Sequence, residues 1–248
     1  MPRVSVVVPV YNEGSGVSVF LDRIFEAVTL TCELLAVYDV PEDTTVPHLQ
    51  AYARREPRLR PLRNTYGRGP AAAIRYGIDH AESDVVVVTM ADGSDDPHQI
   101  DQLTRLVERG VVVAAASRYM RGGQQVGGPW LKGLVSGTAG RSLHLLGRVG
   151  THDATNSFKA YSRRFIQEVG IESDEGFTLG IEMVAKAKRA GLPVAEIPTI
   201  WLDRATGTSN FRVSRWLARY LRWYLRALRP SGRRPRPLPD DLDRSAPG

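Results

Sequence analysis

The chain has 248 residues, 42% of them hydrophobic and 24% charged, with a net charge of +6. That length builds one large domain or two small ones, and the composition excludes a disordered or fibrous chain. The single cysteine, Cys32, excludes an internal disulfide framework and suits a reducing compartment.

The N-terminus, "MPRVSVVVPVYNE", lacks the long apolar stretch and small-residue cleavage site of a signal peptide. Residues 4–10 predict a strand, β-branched and ended by Pro9 and Asn12. Residues 14–28 have helical spacing, with Val17, Phe20, Leu21, Ile24 and Phe25 on one face. A short buried strand follows at 34–38, then the turn-rich "YDVPEDTT", a helix at 47–55 and a weaker strand at 59–63. A helix is expected at 69–82, a valine-rich strand at 84–90, a helix at 97–109 and a strand at 111–116. The apolar runs at 85–88 and 111–116 are strand-sized and far short of a bilayer span. Continuous apolar strands alternating with amphipathic helices predict a mostly parallel sheet covered on both faces.

The second half is less regular. "RGGQQVGGPW" at 121–130 reads as a glycine-rich loop and 131–146 as a helix. "GTHDATNSFKAYSRR" leads into a short strand and a helix; a helix at 177–190 and a strand at 194–200 follow. Residues 230–248, rich in Pro, Arg and Asp, have little to bury and read as disordered.

Two acidic clusters, Asp39/Asp43 and Asp92/Asp95/Asp96, fall just after strands, where ligands bind in open parallel sheets. Asp96 before Pro97 suits a helix start, which explains Asp95 or Asp96 well and Asp92 poorly. A divalent cation bound with a nucleotide diphosphate explains Asp92, because hard cations take carboxylate, water and phosphate oxygens.

Seven segments then align in order: "VSVVVPVYNEG", "VYDVPEDTT", "NTYGRGPAAAIRYGI", "VVVVTMADGSDDP", "ASRYMRGG", "DATNSFKAY" and "EIPTIWLDRATGTSNF". Together they resemble family-2 inverting glycosyltransferases of the GT-A fold, in particular the polyprenyl- (dolichol-) phosphate hexosyl transferases, over about residues 3–229. The resemblance implies a GT-A α/β domain at 1–212, with a basic amphipathic helix at 213–229 and the tail at 230–248. It implies that Pro9, Tyr11, Glu13, Asp39, Ala91 and Asp92 hold the nucleotide of a UDP- or GDP-hexose. Asp39 has a plainer reading as a turn residue bonding its own backbone.

The chain departs from the family pattern. Tyr38 stands where the first of two paired aspartates is usual, and Met90 where Asp-x-Asp begins. A thioether is a poor ligand for Mg²⁺ or Mn²⁺, so the resemblance implies a weakened site on Asp92, with Asp95 or Asp96 as a second carboxylate. The opposite reading is that little metal is needed, or that activity is lost. Asn210 replaces a frequent lysine.

By the same resemblance Arg118 and Arg204 lie near phosphates, and Arg118, Arg121 and Lys132 meet an acceptor phosphate. Guanidinium forks suit phosphate oxygens. Asp153 matches an acceptor-side acid, with an Asx turn as the plainer reading; Glu182 matches a frequent acid. The expected catalytic set is Asp92, Arg118, Asp153 and Arg204. A polyprenyl phosphate is already anionic and needs no general base, whereas a hydroxyl acceptor requires one, for which Asp153 is the candidate.

Ten arginines and no acid lie between 204 and 239, so the rest of the chain carries 23 basic and 27 acidic residues. Within that segment Arg212, Arg215, Arg219, Arg222, Arg226 and Arg229 recur every three or four residues, beside Trp216, Leu217, Tyr220, Leu221, Tyr224 and Leu228, with Trp223 at the boundary. A basic, aromatic-rich amphipathic helix suits an anionic membrane surface and is too charged to span. Its plainer reading is a helix packed on the domain with a solvated arginine face. Nothing else suggests nucleic acid. The expectation is therefore a hexosyltransferase at the cytoplasmic face of the membrane. The alternatives are a glycan or small-molecule hydroxyl acceptor, or a non-catalytic nucleotide-sugar-binding homologue.

Overall fold

The computed structural model describes residues 1–127, 130–174, 176–203 and 213–229. The first half runs β1 (Val4–Pro9), α1 (Gly16–Ala27), β2 (Cys32–Tyr38), α2 (Val46–Ala53), β3 (Leu59–Arg63), α3 (Pro70–Asp79), β4 (Val85–Val88), α4 (Gln99–Glu108) and β5 (Val113–Ser117). The second half adds β6 (Gln124–Val126), α5 (Trp130–Gly147), β7 (Lys159–Ser162), α6 (Arg163–Val169), α7 (Leu179–Ala190), β8 (Val194–Pro198), β9 (Ile200–Leu202) and α8 (Val213–Leu228).

Seven strands form one sheet in the order β3-β2-β1-β4-β7-β5-β8. All neighbours are parallel except β7, which runs antiparallel to both β4 and β5. The alternation of side chains along a strand explains the unbroken apolar runs. Val4, Val6 and Val8 pack with α1, α2 and α4 on one face, while Val7 packs with α3, α6, α7 and α8 on the other. At Gly77 in α3 an added Cβ would lie 2.5 Å from Val7 Cγ1, so the helix rests almost directly on β1.

Two expectations change. The strand expected at 194–200 breaks at Thr199 into β8 and β9, which belong to different sheets. Pro198 supplies no N–H to continue the ladder, and Thr199 turns the chain by donating to Ser117 O (3.0 Å) and accepting from Gln124 N (2.9 Å). The glycine-rich segment read as a loop contains β6, which pairs parallel with β9.

Candidate functional site

The carboxyl ends of β1, β2, β4 and β5 carry most of the expected site residues, and hydrogen bonds tie their loops together. Pro9 closes β1 in the core, and Tyr11 beyond it is 64% exposed, a free aromatic face. Asn12 takes the left-handed conformation at φ 54°, and its N–H donates to both carboxylate oxygens of buried Asp43 at 3.1 Å. Glu13 N donates to Thr45 Oγ1 at 2.9 Å, and Thr45 N to Asp43 Oδ1 at 2.8 Å. Asp43 therefore holds the segment carrying Tyr11 and Glu13. Asp39 does not bond its own backbone as a turn residue would: it accepts from Asn64 Nδ2 (2.8 Å) and Gly69 N (2.7 Å), which orders the "NTYGRG" loop at the start of α3. Asn64 was not singled out from sequence. Its only signal was a polar residue directly after a strand.

The loop after β4 gives its three acids separate work. Asp92 Oδ1 accepts from Ser94 N at 3.1 Å around Gly93 at φ 72°, an Asx turn. Asp96 Oδ1 accepts from His98 N at 3.1 Å in the turn before α4; the helix starts two residues later than expected, at Gln99, with His98 at the N-cap position and no side-chain cap bond. Asp95 Oδ2 accepts from Thr89 Oγ1 at 2.9 Å and Met90 N at 3.5 Å, bracing the loop from within beside Phe20, Ile24 and Pro97. Burial, and then the charge of Asp92, push the Asp95 carboxyl up from 3.8 to about 7. The folded state thus keeps a proton that the unfolded chain has lost. Between about pH 4 and 7 this group makes stability fall as pH rises, by up to ~1.4 kcal/mol per pH unit. Asp95→Asn should remove that decline, seen as a flatter plot of unfolding free energy from pH 5 to 7.5. An unchanged plot would mean Asp95 is ionised throughout.

Arg118 and Asp153, expected as separate groups, form one unit. Arg118 Nε and Nη2 reach Asp153 Oδ2 and Oδ1 at 2.7 and 3.0 Å, and Arg118 N adds a 3.1 Å bond. This is the two-pronged geometry in which guanidinium and carboxylate bind most strongly. Asp153 is 0% exposed and also accepts from Asn156 N at 3.1 Å. Burial alone would raise its pKa, but Arg118, helped by Lys159, holds it below the ordinary value. Burial alone would likewise lower Arg118; Asp153 outweighs it and the guanidinium pKa is raised. The Arg118 guanidinium also lies over the rings of Tyr119 (4.9 Å) and Trp201 (5.9 Å), close enough for cation–π attraction.

Lys159, at the start of β7, was missed: a lone lysine in an apolar strand was the available signal. It is fully buried, donates to Asn156 O, and burial pulls its pKa down to about 8 against the opposing charge of Asp153. Glu182 accepts from Glu172 N (2.6 Å) and Ser173 N (2.8 Å) and pairs with Lys186 at 2.7 Å, so it organises the segment before α7. Arg121 is exposed. Arg204 and residues 230–248 lie outside the described residues, as does the side chain of Lys132.

Among the described residues of α8, the packed reading describes 219–229. Trp223, placed at the stripe boundary from sequence, is only 4% exposed, because the helix turns its aromatic side inward. Tyr220 OH donates to Phe177 O at 3.2 Å, Tyr224 meets Ser142 of α5 at 2.8 Å, and Arg222 and Arg226 reach Glu172 at 3.3 and 2.8 Å. The arginine stripe is therefore partly neutralised. Leu221 and Leu225, 50% and 52% exposed, face out instead.

Residues 5–170 match the family described as "Glycosyl transferase family 2". Over 230 residues the chain is 28% identical to polyprenol monophosphomannose synthase of Mycolicibacterium smegmatis, covering 86% of each chain. Over 236 residues it is 29% identical to undecaprenyl-phosphate mannosyltransferase of Micrococcus luteus, covering 91% of this chain and 95% of that protein. Among solved structures, mannosyltransferase PcManGT from Pyrobaculum calidifontis, in complex with GDP-Man and Mn²⁺, superposes with a TM-score of 0.64 at 20% identity, over 90% of this chain and 63% of that one. Glucosyl-3-phosphoglycerate synthase from Mycobacterium tuberculosis, in complex with Mn²⁺, UDP and glucosyl-3-phosphoglycerate, superposes with a TM-score of 0.68 at 18% identity, over 93% and 82%. Those likenesses establish the GT-A fold, and the family match covers most of the chain: it is a glycosyltransferase and belongs to glycosyl transferase family 2.

Proposed function

We propose that the chain transfers a hexose, with inversion, from a UDP- or GDP-linked sugar to a polyprenyl phosphate. The observation that carries this reading is the state of Asp153. A hydroxyl acceptor would need it as a base, yet it is fully buried, locked to Arg118 and held at a lowered pKa. A phosphate acceptor is already a nucleophile and needs orientation and charge compensation instead. The two relatives matched over most of their length, polyprenol monophosphomannose synthase and undecaprenyl-phosphate mannosyltransferase, favour mannose as the hexose.

In this reading Pro9, Tyr11, Glu13, Asp39 and Ala91 form the nucleotide cradle. Arg118 faces phosphate oxygens and Asp153 positions it, while Arg121, Lys132 and Arg204 are the further cations assigned to the phosphates by sequence alone. The oxygen donors of the β4 loop fit a hard cation such as Mg²⁺ or Mn²⁺, held by Asp92 with Asp95 beside it and more weakly than by two aspartates of an Asp-x-Asp pair, because Met90 supplies only a thioether. Such an ion offsets the charge of the departing diphosphate. Asp95 is braced on Thr89 and held at a raised pKa, and it gives up its proton when a divalent charge is placed beside it.

No helix among the described residues is long and apolar enough to cross a membrane. Outward Leu221 and Leu225 on α8, and Leu145 and Leu146 on α5, support contact with the anionic inner face of a membrane through 213–229. Leu221→Glu with Leu225→Glu should cut co-sedimentation with anionic vesicles several-fold; undiminished binding would remove α8 from that role.

The central test incubates the full chain and Mn²⁺ or Mg²⁺ with labelled UDP- and GDP-hexoses, polyprenyl phosphate and, separately, soluble hydroxyl acceptors. Transfer to the lipid phosphate is expected. Transfer only to soluble acceptors would overturn the acceptor assignment, and no turnover of any donor would support a non-catalytic homologue.

A further inference from the structure

One residue before Asp153 lies a cluster that the transfer reading does not use. His144 from α5, His152 from the loop before β7 and Glu196 from β8 each offer a donor atom, and the three atoms lie within 4.8 Å of one another. The two imidazole rings stack with centroids 3.6 Å apart and planes 18° apart. Glu196 is firmly placed: Oε1 meets His152 Nδ1 at 2.5 Å, while Oε2 accepts from His152 N at 2.8 Å and Thr151 Oγ1 at 3.0 Å. His144 Nδ1 is different. It is buried and has no hydrogen-bond partner, a state that ordinarily costs ~1–3 kcal/mol.

We propose that His144, His152 and Glu196 form a site for one Zn²⁺-class transition-metal ion. Two imidazole nitrogens and a carboxylate oxygen are an established zinc donor set, with a fourth position left for water. Nitrogen donors select such metals over Mg²⁺ or Mn²⁺, so this site and the all-oxygen site at Asp92 sort metals by chemistry. Metal–ligand bonds of about 2.0–2.2 Å set donor separations near ~3.3 Å. The donors lie at most 4.8 Å apart, and the 2.5 Å contact between His152 Nδ1 and Glu196 Oε1 opens to admit the ion. The His144 Nδ1 that lacks a partner gains one.

The three ligands come from different elements, so the ion fastens α5 and β8 to the segment ending in Asp153. Helix α5 already approaches this segment closely, since a Cβ on Gly140 would lie 2.1 Å from His152 O. The ion's role is structural: it fixes the loop that aims Asp153 at Arg118. The rival account is a metal-free His152–Glu196 pair with a ring stacked on it.

The test uses the untagged full chain, stripped of metal by chelation and titrated with Co²⁺ as a spectroscopic stand-in and then with Zn²⁺. We expect one Co²⁺ per chain with visible d–d bands, displaced by one equivalent of Zn²⁺, and a Tm rise that saturates at the same point. Asp92→Asn should leave the bands in place, separating this site from the nucleotide-side cation. His144→Ala, which removes no hydrogen bond made by Nδ1, should weaken binding at least ~10-fold, the least that even outer-shell changes cost. His144→Gln, bulkier and polar, serves if the alanine variant does not fold. Absence of the bands and of the Tm rise at one equivalent overturns the proposal. So does binding that either His144 variant leaves unchanged.

Discussion

Asp153→Ala is expected to destabilise the fold by about 3–5 kcal/mol, the usual cost of removing one partner from a buried ion pair, and to abolish transfer. The large figure follows from what remains. Arg118, with a side chain only 12% exposed, keeps its charge at every accessible pH and loses the carboxylate that takes three of its N–H groups. Asp153→Asn should cost less stability, because the amide oxygen still accepts from Asn156 N, yet it should still lower kcat/KM strongly through misplacement of the guanidinium. The apolar double variant Arg118→Met with Asp153→Leu should recover much of the stability and none of the transfer. Chemical denaturation and kcat/KM measured on the three variants separate folding from positioning. If Asp153→Asn keeps wild-type kcat/KM, the charge of Asp153 has no part in aligning the site. The pH dependence follows in sign: with a lowered folded pKa, the pair's contribution is complete above the ordinary carboxylate range and is lost as pH falls through the folded value.

Asp92→Ala should reduce kcat/KM by about 10²–10³, in line with removal of one fixed electrostatic stabiliser of a departing group, with a smaller loss of Tm than Asp153→Ala. The contrast with Asp153 comes from location. Asp92 is half-buried on a turn and accepts from Ser94 N two residues away, whereas Asp153 is 0% exposed and locked to Arg118. The divalent-cation concentration for half-maximal activity should rise steeply in Asp92→Asn. If Asp92→Ala retains wild-type activity, the diphosphate and its counter-ion are held elsewhere.

Much of this was legible in the sequence, for definite reasons. Val4–Pro9, Cys32–Tyr38 and Val85–Val88 are buried on both faces, so their apolar runs announce themselves. Pro9, Asp39, Asp92 and Arg118 could be placed together because a parallel sheet brings the carboxyl ends of its strands to one edge. Pairings across that edge were not legible. Arg118 and Asp153 are 35 residues apart, and no periodicity encodes a bond between two loops. The bracing roles of Asp43 and Asn64 were hidden for the same reason, since each acts through a partner distant in sequence, Asn12 and Asp39. Gln124–Val126 and Ile200–Leu202 are short, polar or exposed, and only their mutual pairing makes them strands. In α8 the helical period was plain, but the choice of inward face depended on Glu172, Ser142 and Phe177, which its own spacing says nothing about.

The antiparallel strand β7 has a consequence for synthesis. Strand β4 pairs with β1 on one side, but its other side waits for residues 159–162. A nascent chain leaving the ribosome therefore carries an open, all-valine edge until those residues emerge, for roughly 4–15 s at 5–20 residues per second. An unpaired apolar edge is where a chain pairs with a neighbour instead. Ribosome-bound chains truncated before residue 159 should therefore engage chaperones and aggregate, and those long enough to expose residue 162 outside the exit tunnel should not.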